Sequence, residues 1–124
     1  MIKVLFVCLG NICRSPAAEA IMNDYLRKAG LTHKISCDSA GTSAGHAGHA
    51  ADPRMQAQAK KRGYTIHHQA RQVTAFDLIE FDWIAAMDQR NYLDLCHLAS
   101  DEEQRKKIFR RKIKNLPEWT KKSC

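Results

Sequence analysis

Lys3-Val4-Leu5-Phe6-Val7-Cys8-Leu9-Gly10-Asn11-Ile12-Cys13-Arg14-Ser15-Pro16 is the stretch that decides the architecture. Residues 3–7 are apolar, β-branched or aromatic after the first lysine, with no polar alternation. That pattern suits a strand buried on both faces of a parallel sheet. Residues 8–15 interrupt it with Gly10 and Asn11. Ser15 and Pro16 then read as a helix start, with a hydroxyl at the N-cap and proline at the first helical position. Ile21, Met22, Tyr25, Leu26 and Ala29 recur at helical spacing, and Gly30 closes the helix. The first thirty residues therefore predict strand, loop, helix.

The same alternation continues outward. Residues 34–38 read as a second strand, followed by a loop rich in Gly, Ser, Ala and His. Asp52 and Pro53 begin a helix that Gly63 ends. Thr74 and Asp77 form a capping box over a short helix containing Leu78 and Ile79. Residues 83–87 read as a third buried strand, and residues 89–97 as a helix carrying Tyr92, Leu93 and Cys96. Strand and helix in turn predict a three-layer α/β sandwich: a small parallel sheet of three or four strands with helices on both faces. Residues 100–116 admit two readings. Phe109, Ile113 and Leu116 share one helical face after Ser100 as cap, whereas Ile108, Phe109 and Ile113 also fit a fourth strand diluted by basic residues.

At 124 residues the chain is one domain's worth, long enough to bury a core without disulfides or a structural metal. Its 44% apolar and 27% charged residues exclude wholesale disorder. The net charge of +7 is unevenly placed. Residues 1–104 hold 11 Lys and Arg against 12 Asp and Glu; residues 105–124 hold 9 against 1. This divides the chain into a near-neutral α/β domain, 1–104, and a basic C-terminal segment, 105–124. A uniformly basic nucleic-acid binder would not look like this. Nucleic-acid binding by residues 105–122 has charge alone behind it, and a solvated tail is the simpler reading. The longest apolar run is too short for a membrane span or a signal peptide, so a cytoplasmic address is expected. Five cysteines, at 8, 13, 37, 96 and 124, lack C-x-x-C and zinc spacings. His46 with His49 and His67 with His68 are too scattered to predict a metal site.

Residues 8–15 are where chemistry is expected. A turn at the carboxyl end of the first strand lies where α/β sheets bind ligands. Backbone N–H groups and a helix N-terminus converge there and favour an anion. The same field favours a thiolate at Cys8. Arg14 can present a planar fork to two phosphoryl oxygens, and Ser15 can donate a hydrogen bond to sulfur. There is neither the G-K-[ST] of a nucleotide P-loop nor a G-x-G-x-x-G.

This segment resembles the signature of the low-molecular-weight protein tyrosine phosphatases almost residue for residue. The likeness continues through Asp38-Ser39-Ala40-Gly41-Thr42, Asp52-Pro53-Arg54, Ala70-Arg71-Gln72 and Met87-Asp88, covering roughly residues 2–97. It implies hydrolysis of phosphotyrosine-type monoesters, on a protein or a small aryl phosphate, through a phosphocysteine on Cys8. Inorganic phosphate would be product or inhibitor, and no cofactor or metal is needed. Leu9, Gly10, Asn11, Ile12 and Cys13 would form the phosphate loop, with Arg14 stabilising the equatorial oxygens. Asn11 would brace the loop through Ser39 and His68, and Asp88 would hold Arg14 or simply cap the next helix. Cys13 would trap Cys8 as a reversible disulfide under oxidation.

Two departures stand out. Gly45 occupies the position where family members carry an aromatic wall for the phosphotyrosine ring. The Asp-Pro general-acid segment near the family's C-terminus has no counterpart: after residue 88 only Asp94 and Asp101 are aspartates, neither before proline, and Asp52-Pro53 comes too early. Impaired turnover is therefore expected; the abrupt change of composition favours a truncated or frame-shifted product over a divergent family branch or a tail recruited for another partner. The alternatives are a phosphate- or phosphoprotein-binding module without turnover, and an arsenate reductase relaying electrons from Cys8 through further cysteines such as Cys96.

Overall fold

A computed structural model of the chain describes residues 1–110. Nine elements follow in order: β1 (Ile2–Cys8), α1 (Arg14–Lys28), β2 (Ile35–Gly41), α2 (Pro53–Lys61), α3 (Asp77–Glu80), β3 (Trp83–Ala86), α4 (Gln89–Leu98), α5 (Glu102–Lys107) and β4 (Ile108–Phe109). The four strands form one parallel sheet in the order β2-β1-β3-β4. β1 lies inside it and pairs along its whole length with β2, from Ile2 opposite Ile35 to Cys8 opposite Gly41.

The unalternating apolar run of β1 serves two faces. Leu5 and Val7 join Ile84, Ala86, Leu78, Leu95 and Ile108 in a core beneath α3 and α4. Val4 and Phe6 point to the other face, with Ala85, Ala18 and Met22 under α1. α2 packs Met55 and Ala59 against Cys13 and Ala17 at the start of α1. The sheet is thus covered on both sides, as the alternating pattern predicts.

The helix boundaries refine the sequence reading. α1 starts one residue before Ser15, with Cys13 at the N-cap and no side-chain cap. Ser15 is not the cap because its hydroxyl is turned inward to Cys8 and the Ala40 carbonyl. Gly30 closes α1 at φ +69, in the left-handed region where glycine is unstrained. Leu31 N–H donates to Leu26 O at 2.9 Å and Gly30 N–H to Arg27 O at 3.2 Å, the paired bonds of a Schellman motif. Tyr25 of the expected apolar stripe is exposed instead. Asp52 caps α2 through Arg54 N–H and Met55 N–H.

The helical reading of residues 100–116 is corrected in part. α5 ends at Lys107, its cap is Asp101 rather than Ser100, and Ile108 and Phe109 are the fourth strand. Ile108 pairs with Ile84 and is buried in the main core, which the single helical face could not have satisfied. Ile113 and Leu116 lie outside the described residues. Ile108→Ala should cost about 2–4 kcal/mol in urea unfolding, whereas Ile79→Ala, at an exposed site, should change stability by under ~0.5 kcal/mol.

Candidate active site

β1 ends at Cys8, and the chain turns through residues 9–13 into α1. The turn is shaped by one residue. Asn11 sits at φ +57, and it is the only non-glycine residue with positive φ among those described. Asparagine tolerates this left-handed conformation better than most side chains. Its side chain, 1% exposed, makes four hydrogen bonds. Nδ2 donates to Ser15 Oγ at 2.9 Å and Ser39 Oγ at 3.0 Å. Oδ1 accepts from Arg71 N–H at 2.9 Å and pairs with His68 Nε2 at 2.7 Å. Every donor and acceptor position of the amide is used.

The arrangement directs a proton toward sulfur. Ser15 Oγ accepts from Asn11, so its own hydrogen is available to Cys8 Sγ at 3.0 Å or to Ala40 O at 3.4 Å. Cys8 is buried and its thiol is free. Arg14 Nη1 meets Asp88 Oδ2 at 3.0 Å, and Asp88 Oδ1 accepts the Asn91 N–H at 2.8 Å. Asp88 therefore does both things weighed for it, capping α4 and orienting Arg14. Burial pushes the Asp88 carboxyl up, but the hydrogen bonds from Asn91 N–H and Arg14 outweigh it and hold the group below the usual carboxylate range.

The loop is also held from outside. Thr42 N–H donates to Cys8 O and Ser43 N–H to Leu9 O, both at 2.9 Å, and Asp52 N–H to Ile12 O at 2.8 Å. Gly41 is packed so closely that a Cβ there would stand 2.7 Å from Leu9 O. A cavity of about 180 Å³ opens above the loop. Cys8, Gly10, Cys13 and Arg14 line one side, and Ser43, Gly45 and His46 of the loop after β2 line the other. Leu9 and Ile12 complete the rim. Gly45 thus leaves the wall without a large ring at the position where the resemblance expects one.

Sequence reading missed a second shell of charge. His68 Nδ1 lies 3.2 Å from Glu19 Oε1 and 3.5 Å from Asp38 Oδ1, and Ser39 Oγ donates to Glu19 Oε1 at 2.6 Å. Arg71 grips Asp77 with both nitrogens, at 3.0 and 3.2 Å, and reaches Asp38 at 3.1 Å. Glu19 on the inner face of α1 and Asp77 in the predicted capping box carried no signal beyond helix and cap. The ligand atoms of Glu19, Asp38 and His68 are close enough to hold a cation, but each already has a protein partner.

Since Asn11 Oδ1 can only accept, His68 Nε2 carries the hydrogen of that bond, and Nδ1 faces Glu19. Burial drives both groups toward neutrality: it raises Glu19 to about 7 against the Ser39 bond, and lowers His68 despite the Asp38 charge. Burial also pushes the Cys37 thiol up to about 12, and neither Cys37 nor Cys96 lines the cavity with Cys8.

The sequence profile described as "Low molecular weight phosphotyrosine protein phosphatase" matches residues 3–123, further than the likeness first quoted. The chain belongs to the low molecular weight phosphotyrosine protein phosphatase family. A Synechocystis sp. protein, slr0328, assigned by name to that family, is 51% identical over 120 residues, covering 97% of this chain and 73% of its own length. The phosphatase of Schizosaccharomyces pombe is 50% identical over 73% of this chain, which spans only 58% of that relative. A protein tyrosine phosphatase from Entamoeba histolytica, crystallised with Hepes in its active site, superposes with a TM-score of 0.85 at 48% identity, over 89% of this chain and 70% of its own. Members of this family are cysteine-dependent enzymes.

The raised Glu19 value has a consequence for stability. A carboxyl whose pKa rises from 4.5 to about 7 on folding contributes stability that is complete below pH 4.5 and lost as pH passes 7. Glu19→Gln removes that loss, so the melting temperature of the variant relative to the parent should climb between pH 4.5 and 7. A difference independent of pH would show that Glu19 is not protonated by its surroundings.

Proposed function

We propose that the chain hydrolyses phosphotyrosine-type monoesters through a phosphocysteine on Cys8. The observation that carries this is the convergence of Cys8 Sγ, the Ser15 hydroxyl aimed at it, and Arg14 on one small cavity at the carboxyl end of β1. The Cys8 thiolate attacks phosphorus in line, and the phosphorus–oxygen bond to the leaving group breaks. Arg14 and the amides of residues 9–14 balance the charge on the equatorial oxygens. Water then displaces the sulfur, with Ser15 stabilising the departing thiolate, and phosphate leaves. Ser39, His68 and Asp88 act through Asn11 and Arg14, and are positioning residues.

The substrate is a tyrosine-phosphorylated protein or a small aryl phosphate, met in the cytoplasm. No described helix is long and apolar enough to cross a membrane. The loop supplies nucleophile and charge but no proton. Among the described residues no carboxylate lines the cavity, and phenoxide, with a parent pKa of about 10, is a poor leaving group. Turnover of phosphotyrosine is on this reading slow unless another group protonates the oxygen. An arsenate-reductase relay is disfavoured by the placement of Cys37 and Cys96 away from Cys8.

Cys8→Ser should abolish phosphate release while vanadate binding remains measurable; residual activity above a tenth of the parent's would refute the nucleophile. A parent that binds vanadate and releases no phosphate from any aryl ester would instead be a binding module. Lysine keeps the charge of Arg14 but loses the fork that spans two oxygens. Arg14→Lys should therefore lower kcat/KM by roughly 10²-fold or more, nearly as far as Arg14→Ala.

A further inference from the structure

His46 is the residue the mechanism above leaves unused. It lines the cavity together with Cys8 and Arg14, at the position next to Gly45. Its ring is seated on the phosphate loop itself: a Cβ on Gly10 would stand 2.9 Å from His46 Cδ2 and 3.7 Å from Nε2. The loop around it is turned, with Ala47 N–H on Ala44 O at 3.1 Å and His49 N–H on His46 O at 2.9 Å. These bonds hold the backbone that carries the ring.

We propose that His46 is the proton donor to the leaving-group oxygen, and this rests on the phosphatase reading of Cys8. As the sulfur–phosphorus bond forms and the phosphorus–oxygen bond breaks, the imidazolium N–H passes its proton to the departing phenolic oxygen. The product leaves as neutral phenol, and His46 becomes neutral. In the second step neutral His46 takes a proton from the attacking water, the sulfur–phosphorus bond breaks, and Cys8 is again a thiolate. Protons and charges balance over the cycle, and no co-reactant is required.

The alternatives within reach are poorly suited. Among the described residues the other titratable or charged groups lining the cavity are Cys8 and Arg14, and the His49 ring lies 6.0 Å from that of His46. Ser43 offers a hydroxyl, too weak an acid for the task. The nearby aspartates are committed as carboxylates: Asp88 to Arg14 and Asn91, and Asp52 to its helix cap, where hydrogen bonding from Arg54 holds it low. Histidine is the side-chain type that gives up a proton between pH 5 and 8. The ring is next in sequence to the position where the resemblance expects an aromatic wall, so a wall role and a proton role must be separated.

The test measures kcat/KM of the full chain on a series of aryl phosphates, from nitrophenyl phosphate to phenyl phosphate and phosphotyrosine. His46→Phe keeps a flat ring and removes the proton; His46→Ala removes both. Each should lower kcat/KM for phenyl phosphate by roughly 10²-fold, against less than tenfold for nitrophenyl phosphate. Both should steepen the dependence on leaving-group pKa and remove the alkaline limb of the pH profile. Added imidazole should restore part of the loss in His46→Ala. A His46→Phe variant with parental slope and limb would overturn the proposal. An active parent whose turnover survives Cys8→Ser would fail the phosphatase reading instead, whatever His46 does.

Discussion

The Asn11 amide is the constraint on which the site depends. Its backbone takes the left-handed turn that brings residues 9–13 back over the end of β1, and its side chain ties that turn to three separate parts of the chain. Ser15 belongs to α1, Ser39 to β2, and His68 with Arg71 to the segment that follows α2. A typical hydrogen bond contributes only about 1 kcal/mol net, but a buried group left without its partner costs ~1–3 kcal/mol. Removing the amide would take one hydrogen bond from each of four partners at once. The network is thus worth most as a specification of one loop geometry.

Around that centre the charges are arranged in two layers with different jobs. Arg14 and Asp88 are next to the cavity, and their ion pair aims a guanidinium while leaving the rest of its fork to a ligand. Arg71 is turned the other way. Its guanidinium is committed to Asp77 and Asp38, and burial alone would lower its affinity for a proton, but those carboxylates more than compensate. What Arg71 offers the site is backbone: its N–H reaches Asn11 and its carbonyl receives Gly41 N–H at 2.8 Å. Buried pairs of this kind add little net stability over apolar packing but hold a unique geometry when every member is satisfied.

The architecture was legible in the sequence because its signals are local. An unalternating strand, Asp52-Pro53 and Gly30 each act within a few residues, and the structure follows them closely; the Ser-Pro signal places its helix start two residues late, since Cys13 is the N-cap. The cysteine, arginine and serine of residues 8–15 were legible for the same reason. Glu19 and Arg71 were not, because Glu19 meets Ser39 and His68, 20 and 49 positions on, and Arg71 meets Asp77 and Asp38, contacts that no periodicity marks. Asp77 was read as half of a capping box, which it is through Thr74 N–H at 2.8 Å, and its second role to Arg71 is a tertiary one. The two-residue β4 was ambiguous because Arg110 and the lysines before it dilute any pattern; burial of Ile108 against Ile84, seen only in three dimensions, decides between strand and helix.

Gly10 and Gly41 show why the loop after β2 cannot be treated as an independent wall. Gly41 must lack a side chain because the Leu9 carbonyl occupies that space, and Gly10 because His46 does. The second strand and its loop are therefore in van der Waals contact with the nucleophile's own turn, while Thr42 and Ser43 bond to the carbonyls on either side of it. Any change in the loop that shifts His46 is transmitted to the backbone whose amides would meet a phosphoryl group. The shape of the phosphate loop and the position of the His46 ring are thus coupled through two glycines.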